Sequence, residues 1–416
     1  MVTSADQGIS SASNVMATLL IARLSTQQGF GMFALVAMTY ATALGVNRTL
    51  WSEPHSVVSV EVVRTRLGRR LVVVLCALAM VASAVIAVGS YLAIGLSFGL
   101  AIGWPAGIVM LCLPVLAAQD MLRMVAIAWA RATTALVGDL VWLVGLVCVW
   151  KISSLSGNLS ATVISAGWCA FGALSILVLI YALRAVGQAD EAGGSASAMA
   201  RCVAALGWPA GLEYLAITGA LQVAFYIAAA HLGPAGVSGP RGVQVLLGPL
   251  TVLFLGVSQA ILPLLARQRA RADGVRQQGI LRLQATFVFF TACMLGVLEL
   301  LPSGIGRQIL GASWPAAHEV LPAYAVYTAL QGISLPALME IRALQGSRML
   351  FRVRLSIAML TPTAAFVGSR FSATGFAWGL ALSQLIDTSI IQRVVRRLRD
   401  SEHRLLPPVG ALRSTD

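Results

Sequence analysis

Residues 63–70, VRTRLGRR, run directly into residues 71–95, LVVVLCALAMVASAVIAVGSYLAIG. The second segment holds no charged residue and, at 1.5 Å per helical residue, is long enough to cross a hydrocarbon core about 30 Å thick. The first sets four arginines at its mouth. An apolar helix with a basic collar on one side is the unit from which the rest of the chain is built. Hydrophobic residues make up 58% of the 416 positions and charged residues 11%, against roughly 45–50% and 25% in a soluble domain. The composition is that of an integral membrane protein, all-α.

Working outward from 71–95, twelve stretches read as spans: 6–24, 30–50, 71–95, 99–118, 134–152, 159–183, 203–230, 237–265, 280–300, 318–341, 353–369 and 373–392. Of the 29 basic residues, 23 fall in alternate gaps. These gaps hold Arg64 to Arg70, Arg123 and Arg131, Arg184 and Arg201, Arg267 to Arg282, Arg342 to Arg354, and Arg393 to Arg413. The opposite gaps hold Arg23, Lys151, Arg307 and Arg370, and Arg48 and Arg241 lie within spans. The positive-inside rule makes the rich side cytoplasmic, with both termini there and an even number of spans.

Several classes are set aside on the same grounds. A net charge of +13 is accounted for by topology and by anionic inner-leaflet lipid, so membrane lipids are the expected partner and nucleic acid is not. The six cysteines, at 76, 112, 148, 169, 202 and 293, have no metal-ligand spacing and read as packing residues. The one lysine, Lys151, is followed by isoleucine, which rules out a GxxxxGK[ST] loop. No metal, cofactor or catalytic constellation is expected. The N-terminus lacks a basic n-region and a cleavable apolar core, so the first span reads as its own insertion signal.

The polar connection from Arg184 to Arg201, with AGGSASA at 192–198, reads as a flexible linker. It divides the chain into an N-terminal lobe of six spans (1–184), a linker (185–201), a C-terminal lobe of six spans (202–392) and a basic tail (393–416). A weak echo at an offset near 208 supports two related lobes: Asn14 faces Gln222, and Gly31 faces Gly239. GWPAG occurs at 103–107 and again at 207–211, where Trp and Pro suit the start of a span and the GxxxG spacing suits close helix packing.

Ionisable groups inside spans are expensive and tend to line cavities. Arg241 follows Gly239-Pro240 near the outer end of its span, and Arg48 sits toward the inner end of the second, where cavity and cytoplasmic interface are both open readings. With Arg23 at the outer end of the first span, three guanidiniums would suit a phosphate or diphosphate, which arginine holds through paired hydrogen bonds. Glu213 could pair with Arg241 when substrate is absent. The first span, DQGISSASNVMATLLIARL, places Asp6, Ser10, Ser13 and Asn14 along one face, and Glu213, Thr218 and Gln222 make a similar pattern in the seventh. Such faces suit a wet cavity or a helix interface.

These residues also carry a resemblance. DQGISSASNVMATLLIARLSTQQGFGMFALV at 6–36 resembles the first two spans of the Wzx-like polysaccharide/oligosaccharide flippases of the multidrug/oligosaccharidyl-lipid/polysaccharide (MOP) exporter superfamily. Likeness continues at QDMLRMVAIAWARATTALVGDLVW (119–142), GPRGVQVLLGPLTVLFLGVSQAILPLLAR (239–267) and LGASWPAAHEVLP (310–322). The resemblance implies a MOP/MATE-like fold, with two six-helix lobes around a central cavity of alternating access. It implies a transporter, not an enzyme, that flips polyprenyl-diphosphate-linked oligosaccharide across a bacterial cytoplasmic membrane for surface polysaccharide synthesis, alongside polysaccharide-assembly proteins. Carried over by position, Arg23, Arg48 and Arg241 are the diphosphate ligands, with Asn14 and Gln222 as polar lining. The alternatives are a MATE-like cation antiporter, for which Asp6, Asp139 and Glu213 would be the coupling carboxylates, and a major-facilitator transporter, whose basic loop VRTRLGRR resembles in part. A membrane glycosyltransferase would need clustered acids or histidines on outer loops, and His55, His231, His318 and His403 are scattered.

Overall fold

The structure, a computed structural model, describes residues 2–58, 66–99, 102–129, 131–184, 196–254, 256–257, 273–345 and 347–405. No strand occurs among them. The helices are α1 (Val2–Leu24), α2 (Gln27–Asn47), α3 (Glu53–Val58), α4 (Arg66–Phe98), α5 (Trp104–Ala128), α6 (Ala132–Leu155), α7 (Ala161–Arg184), α8 (Ala196–Tyr214), α9 (Ala220–Leu246), α10 (Asp273–Glu299), α11 (Ser303–Leu310), α12 (Trp314–Gln345), α13 (Ser347–Ala358), α14 (Leu360–Ser369) and α15 (Ala373–Leu405). Two π-helical turns, Arg48–Ser52 and Leu215–Gly219, join α2 to α3 and α8 to α9. Extra backbone in a π turn re-aims side chains, and such turns are frequent at functional sites.

Seven described helices are long and apolar enough to cross a membrane, and they account for eight of the twelve expected spans. Arg201–Leu246, 46 residues in length, would be about 69 Å long as one helix, more than twice the hydrocarbon thickness. It breaks at Gly233, whose φ of 74° and ψ of 166° are open only to glycine, and the break falls in the gap expected between the seventh and eighth spans. The first span is apolar only over Gly8–Leu24, because its N-terminal turns carry Asp6 and serines. The eleventh is two short helices, α13 and α14, which meet at Met359. Residues 185–195 of the expected linker and the tail beyond Leu405 lie outside the described residues.

By packing, the described chain forms two units: Met1–Val245 with Pro302–Ala317, and Leu246–Leu301 with His318–Asp416. In the first unit α5 and α6 both lie along α7, α4 lies on α5, and α1 lies on α6. Aromatic groups fill the centre, with Trp168 5.1 Å from Trp142 and 5.2 Å edge-on to Tyr40. Trp142 also donates its indole N–H to the Trp168 carbonyl at 2.6 Å. Glycine lets these helices approach: a Cβ on Gly145 would strike the Phe171 ring and one on Gly172 would strike Leu116 and Trp142. The outward faces of α4 and α5 stay apolar, with Val81, Val85, Leu96 and Leu111 exposed, as lipid requires.

The second unit is held at one end by Arg399, which gives Nε and Nη2 to the two oxygens of buried Glu340 at 2.8 and 2.6 Å. Ala337, Leu338 and Ile341 of α12 pack there on Ile391, Val395 and Leu398 of α15. Phe254 stacks on Phe287 at 4.2 Å. At the other end α14 and α15 touch backbone to backbone, since Gly368 and Gly375 each leave no room for a side chain.

Candidate functional site

Most of the buried charge of the first unit lies in one cluster. Arg123, on α5 and 1% exposed, donates to Asp6 of α1 at 2.8 Å, to Asp139 of α6 at 3.2 Å and to Asp120, one turn earlier on α5, at 3.3 Å. Asp120 in turn takes both Nε and Nη2 of Arg48, at 2.7 and 2.6 Å. Asp6, Asp120 and Asp139 are all buried. The Arg48 side chain is the exception, 30% accessible against 6% or less for the other four. Two guanidiniums facing three carboxylates leave one formal negative charge when all are ionised. Burial on this scale is costly unless each group is paired, and here the pairs tie α1, α2, α5 and α6 together.

A second polar site lies further along α1. Asn14, Ala17 and Thr18 line a cavity of about 140 Å³ with Phe33, Ala37, Tyr40, Val109, Trp168 and Arg241. Arg241 donates through Nη1 to Gln244 one turn on. Gln222 bonds Thr39 at 2.8 Å and the Tyr226 hydroxyl at 3.1 Å, joining α9 to α2. Glu213 is buried on α8. Arg23 is exposed at the end of α1, where Gly311 closes against its carbonyl.

The three arginines singled out by the sequence are therefore not gathered at one point. Counted along α1, Arg48 stands level with Asp6 through the cluster, Arg241 stands level with Asn14 to Thr18, and Arg23 ends the helix. At 1.5 Å per residue these levels lie about 12–18 Å and 26 Å from Asp6. Asp6 and Asp139 do come together, both on Nη1 of Arg123.

One seam sets the reach of this site. A Cβ on Gly31 would strike the Pro234 carbonyl, one on Gly45 the Tyr214 ring, one on Gly207 the Leu50 carbonyl and one on Gly211 the Leu50 side chain. Thus α2 and its π turn run against α8 and α9 over their whole length, and the 207–211 copy of GWPAG supplies two of the contacts. The 103–107 copy serves only to start α5, with Gly103 at the cap and Pro105 in the first turn.

Sequence reading missed Asp120 and misassigned Arg123. It ended the fourth span at 118, so Arg123 was counted with the orientation-setting residues of a loop. In the structure α5 continues to Ala128 and carries both residues inward. The available signal was QDMLR at 119–123, an Asp and an Arg at i, i+3, which can neutralise each other on one helix face.

Comparison with solved structures places the fold. An inward-facing multidrug-resistance MATE family transporter of the MOP superfamily matches with a TM-score of 0.72 at 11% identity, over 96% of this chain and 99% of that one. The lipid II flippase MurJ, in an inward closed conformation, matches at 0.68 and 11% identity, over 95% and 87%. A MOP superfamily transporter from Pyrococcus furiosus, described by the reversed polarity of its binding pocket, matches at 0.57 and 13% identity, over 96% and 94%. No protein-family model matches the sequence, and no curated protein does. The chain is thus a multi-span, all-α membrane protein with the fold of MOP superfamily transporters.

Proposed function

We propose that the chain is a flippase for polyprenyl-diphosphate-linked oligosaccharide, working by alternating access in a bacterial cytoplasmic membrane with both termini on the cytoplasmic side. The observation that carries this reading is the arginine-lined cavity on α1, where Arg241 and Asn14 face one space and a guanidinium can take a phosphoryl group. In this reading the diphosphate meets Arg48, Arg241 and Arg23 in turn, the prenyl tail stays in lipid, and Gln222 is part of the lining. The bodies that move are the two expected lobes, 1–184 and 202–392, rocking about the linker between them. Polysaccharide-assembly proteins would receive the product. The protein performs no bond chemistry. The test is export of surface polysaccharide, or flipping of a fluorescent prenyl-diphosphate saccharide in proteoliposomes, by Arg241→Ala and Arg23→Ala. Loss of flipping by either supports the reading, and wild-type flipping by both would sink it.

A second reading, a MATE-like cation antiporter, is favoured by the burial of Asp6 and Asp139, each with one oxygen lacking a hydrogen-bond partner; Glu213 would join them as a coupling carboxylate. It predicts sodium- or proton-driven efflux of an organic cation that Asp139→Asn abolishes. What favours an anionic substrate instead is Arg241 at the α1 cavity, where no carboxylate is among the lining residues.

A further inference from the structure

The cluster around Arg123 contains a residue whose arrangement goes beyond charge pairing. We propose that Asp120 is an internal competitor for Arg48: it holds the face that a phosphoryl group would take, and it draws Arg48 back so that the group is released. The proposal rests on the reading of Arg48 as a phosphoryl ligand.

Arg48 gives Asp120 the forked Nε and Nη2 pair, at 2.7 and 2.6 Å. This is the same two-donor geometry by which a guanidinium grips a phosphate, so an anion that takes this fork displaces the carboxylate. Access is through Arg48 itself, the one member of the cluster whose side chain is substantially exposed. Displacement does not strand Asp120, because its Oδ1 already lies 3.3 Å from Arg123 Nη2. Arg123, however, also serves Asp6 and Asp139. With Arg48 on loan, one guanidinium faces three buried carboxylates, and repulsion among them in a poorly screened site favours the return of Arg48 to Asp120. The arrangement makes anion binding possible and keeps it shallow, as a site that must both load and unload requires. Arg48 opens the π turn whose Leu50 packs on Gly207 and Gly211.

The test uses the purified full-length chain in detergent, titrated calorimetrically with inorganic pyrophosphate, and the same proteins in liposomes with a fluorescent prenyl-diphosphate saccharide. Asp120→Asn removes the competing charge and is expected to bind pyrophosphate about tenfold or more tighter, the scale of a lost charge-assisted pair. Its saturated flipping rate is expected to fall, and Asp120→Glu is expected to restore both values toward wild type. Should the Asn variant fail to fold, Asp139→Asn gives Asp120 a larger share of Arg123 and is expected to tighten pyrophosphate by a few fold. Unchanged or weaker affinity in the folded variants, or tighter binding with no fall in the saturated rate, overturns the proposal and leaves the anion site standing. Absence of pyrophosphate binding by wild type and variants alike overturns both.

Discussion

Consider Arg123→Ala. Among the described residues Arg123 is the ion partner of both Asp6 and Asp139, which are 0% and 1% exposed, while Asp120 retains Arg48. Truncation therefore leaves two buried carboxylates without a cation and opens a void the size of a long side chain. Breaking one buried pair costs about 3–5 kcal/mol. Because the two losses share a site they do not add in full, and a destabilisation of about 5 kcal/mol is expected. In a body of this size that lowers the melting temperature by about 10 °C. The assay is thermal unfolding of detergent-solubilised protein followed by size-exclusion chromatography. The compensating variant Arg123→Met with Asp6→Val and Asp139→Val is expected to regain most of the loss, since well-packed apolar groups of similar volume often replace a buried ionic cluster at little cost. An Arg123→Ala protein that melts within about 2 °C of wild type would refute the reasoning, because a loss of about 1 kcal/mol or less is that of a solvated pair.

Three further outcomes follow from the packing. Gly207→Ala brings a methyl group against the Leu50 carbonyl, so α8 must back off by about 1 Å, and a loss of about 1–3 kcal/mol should appear in the same melting assay. Trp142→Phe removes the 2.6 Å bond to the Trp168 carbonyl, which keeps its place in the α7 helix, and should cost about 0.5–1.5 kcal/mol by the same measure. Arg399→Ala takes from Glu340, itself 1% exposed, its hydrogen bonds at 2.8 and 2.6 Å and should destabilise the second unit by about 3 kcal/mol, with Glu340→Gln in the same chain recovering most of it; protease cleavage within α12 and α15 would report the difference.

Membrane class, helical content and most span positions were legible because they depend on long apolar runs, which any window detects. Polar residues blurred the ends. The span that closes α5 was cut ten residues short because QDMLR begins with three polar or charged residues in five, and hydropathy cannot tell a charge that leaves the membrane from one that pairs inside it. For the same reason Arg123 was read as topology. The polar face of α1 was legible as a face, through Asp6, Ser13 and Ala17, yet its partner on α5 was not, since pairing across helices depends on rotation about axes that sequence does not fix. Arg48 and Arg241 were found as arginines out of place. Their separation along α1 was not, because the depth of a residue in one helix says little about the helix it meets. Gly233 was legible as a boundary, between Leu232 and Pro234, though the left-handed backbone that makes the break was not.

On the flippase reading proposed above, the levels of Arg48, Arg241 and Arg23 counted along α1 would also bear on rate. A charge carried across an apolar barrier in one leap meets a single high maximum, whereas cations at levels about 12 Å apart would divide the same distance into shallow wells. Travel time across such a profile is governed by the deepest well rather than by the sum of attractions. A variant that strengthens one rung would then slow passage even as it raises occupancy, and a chain with all three rungs equally weak would run fastest.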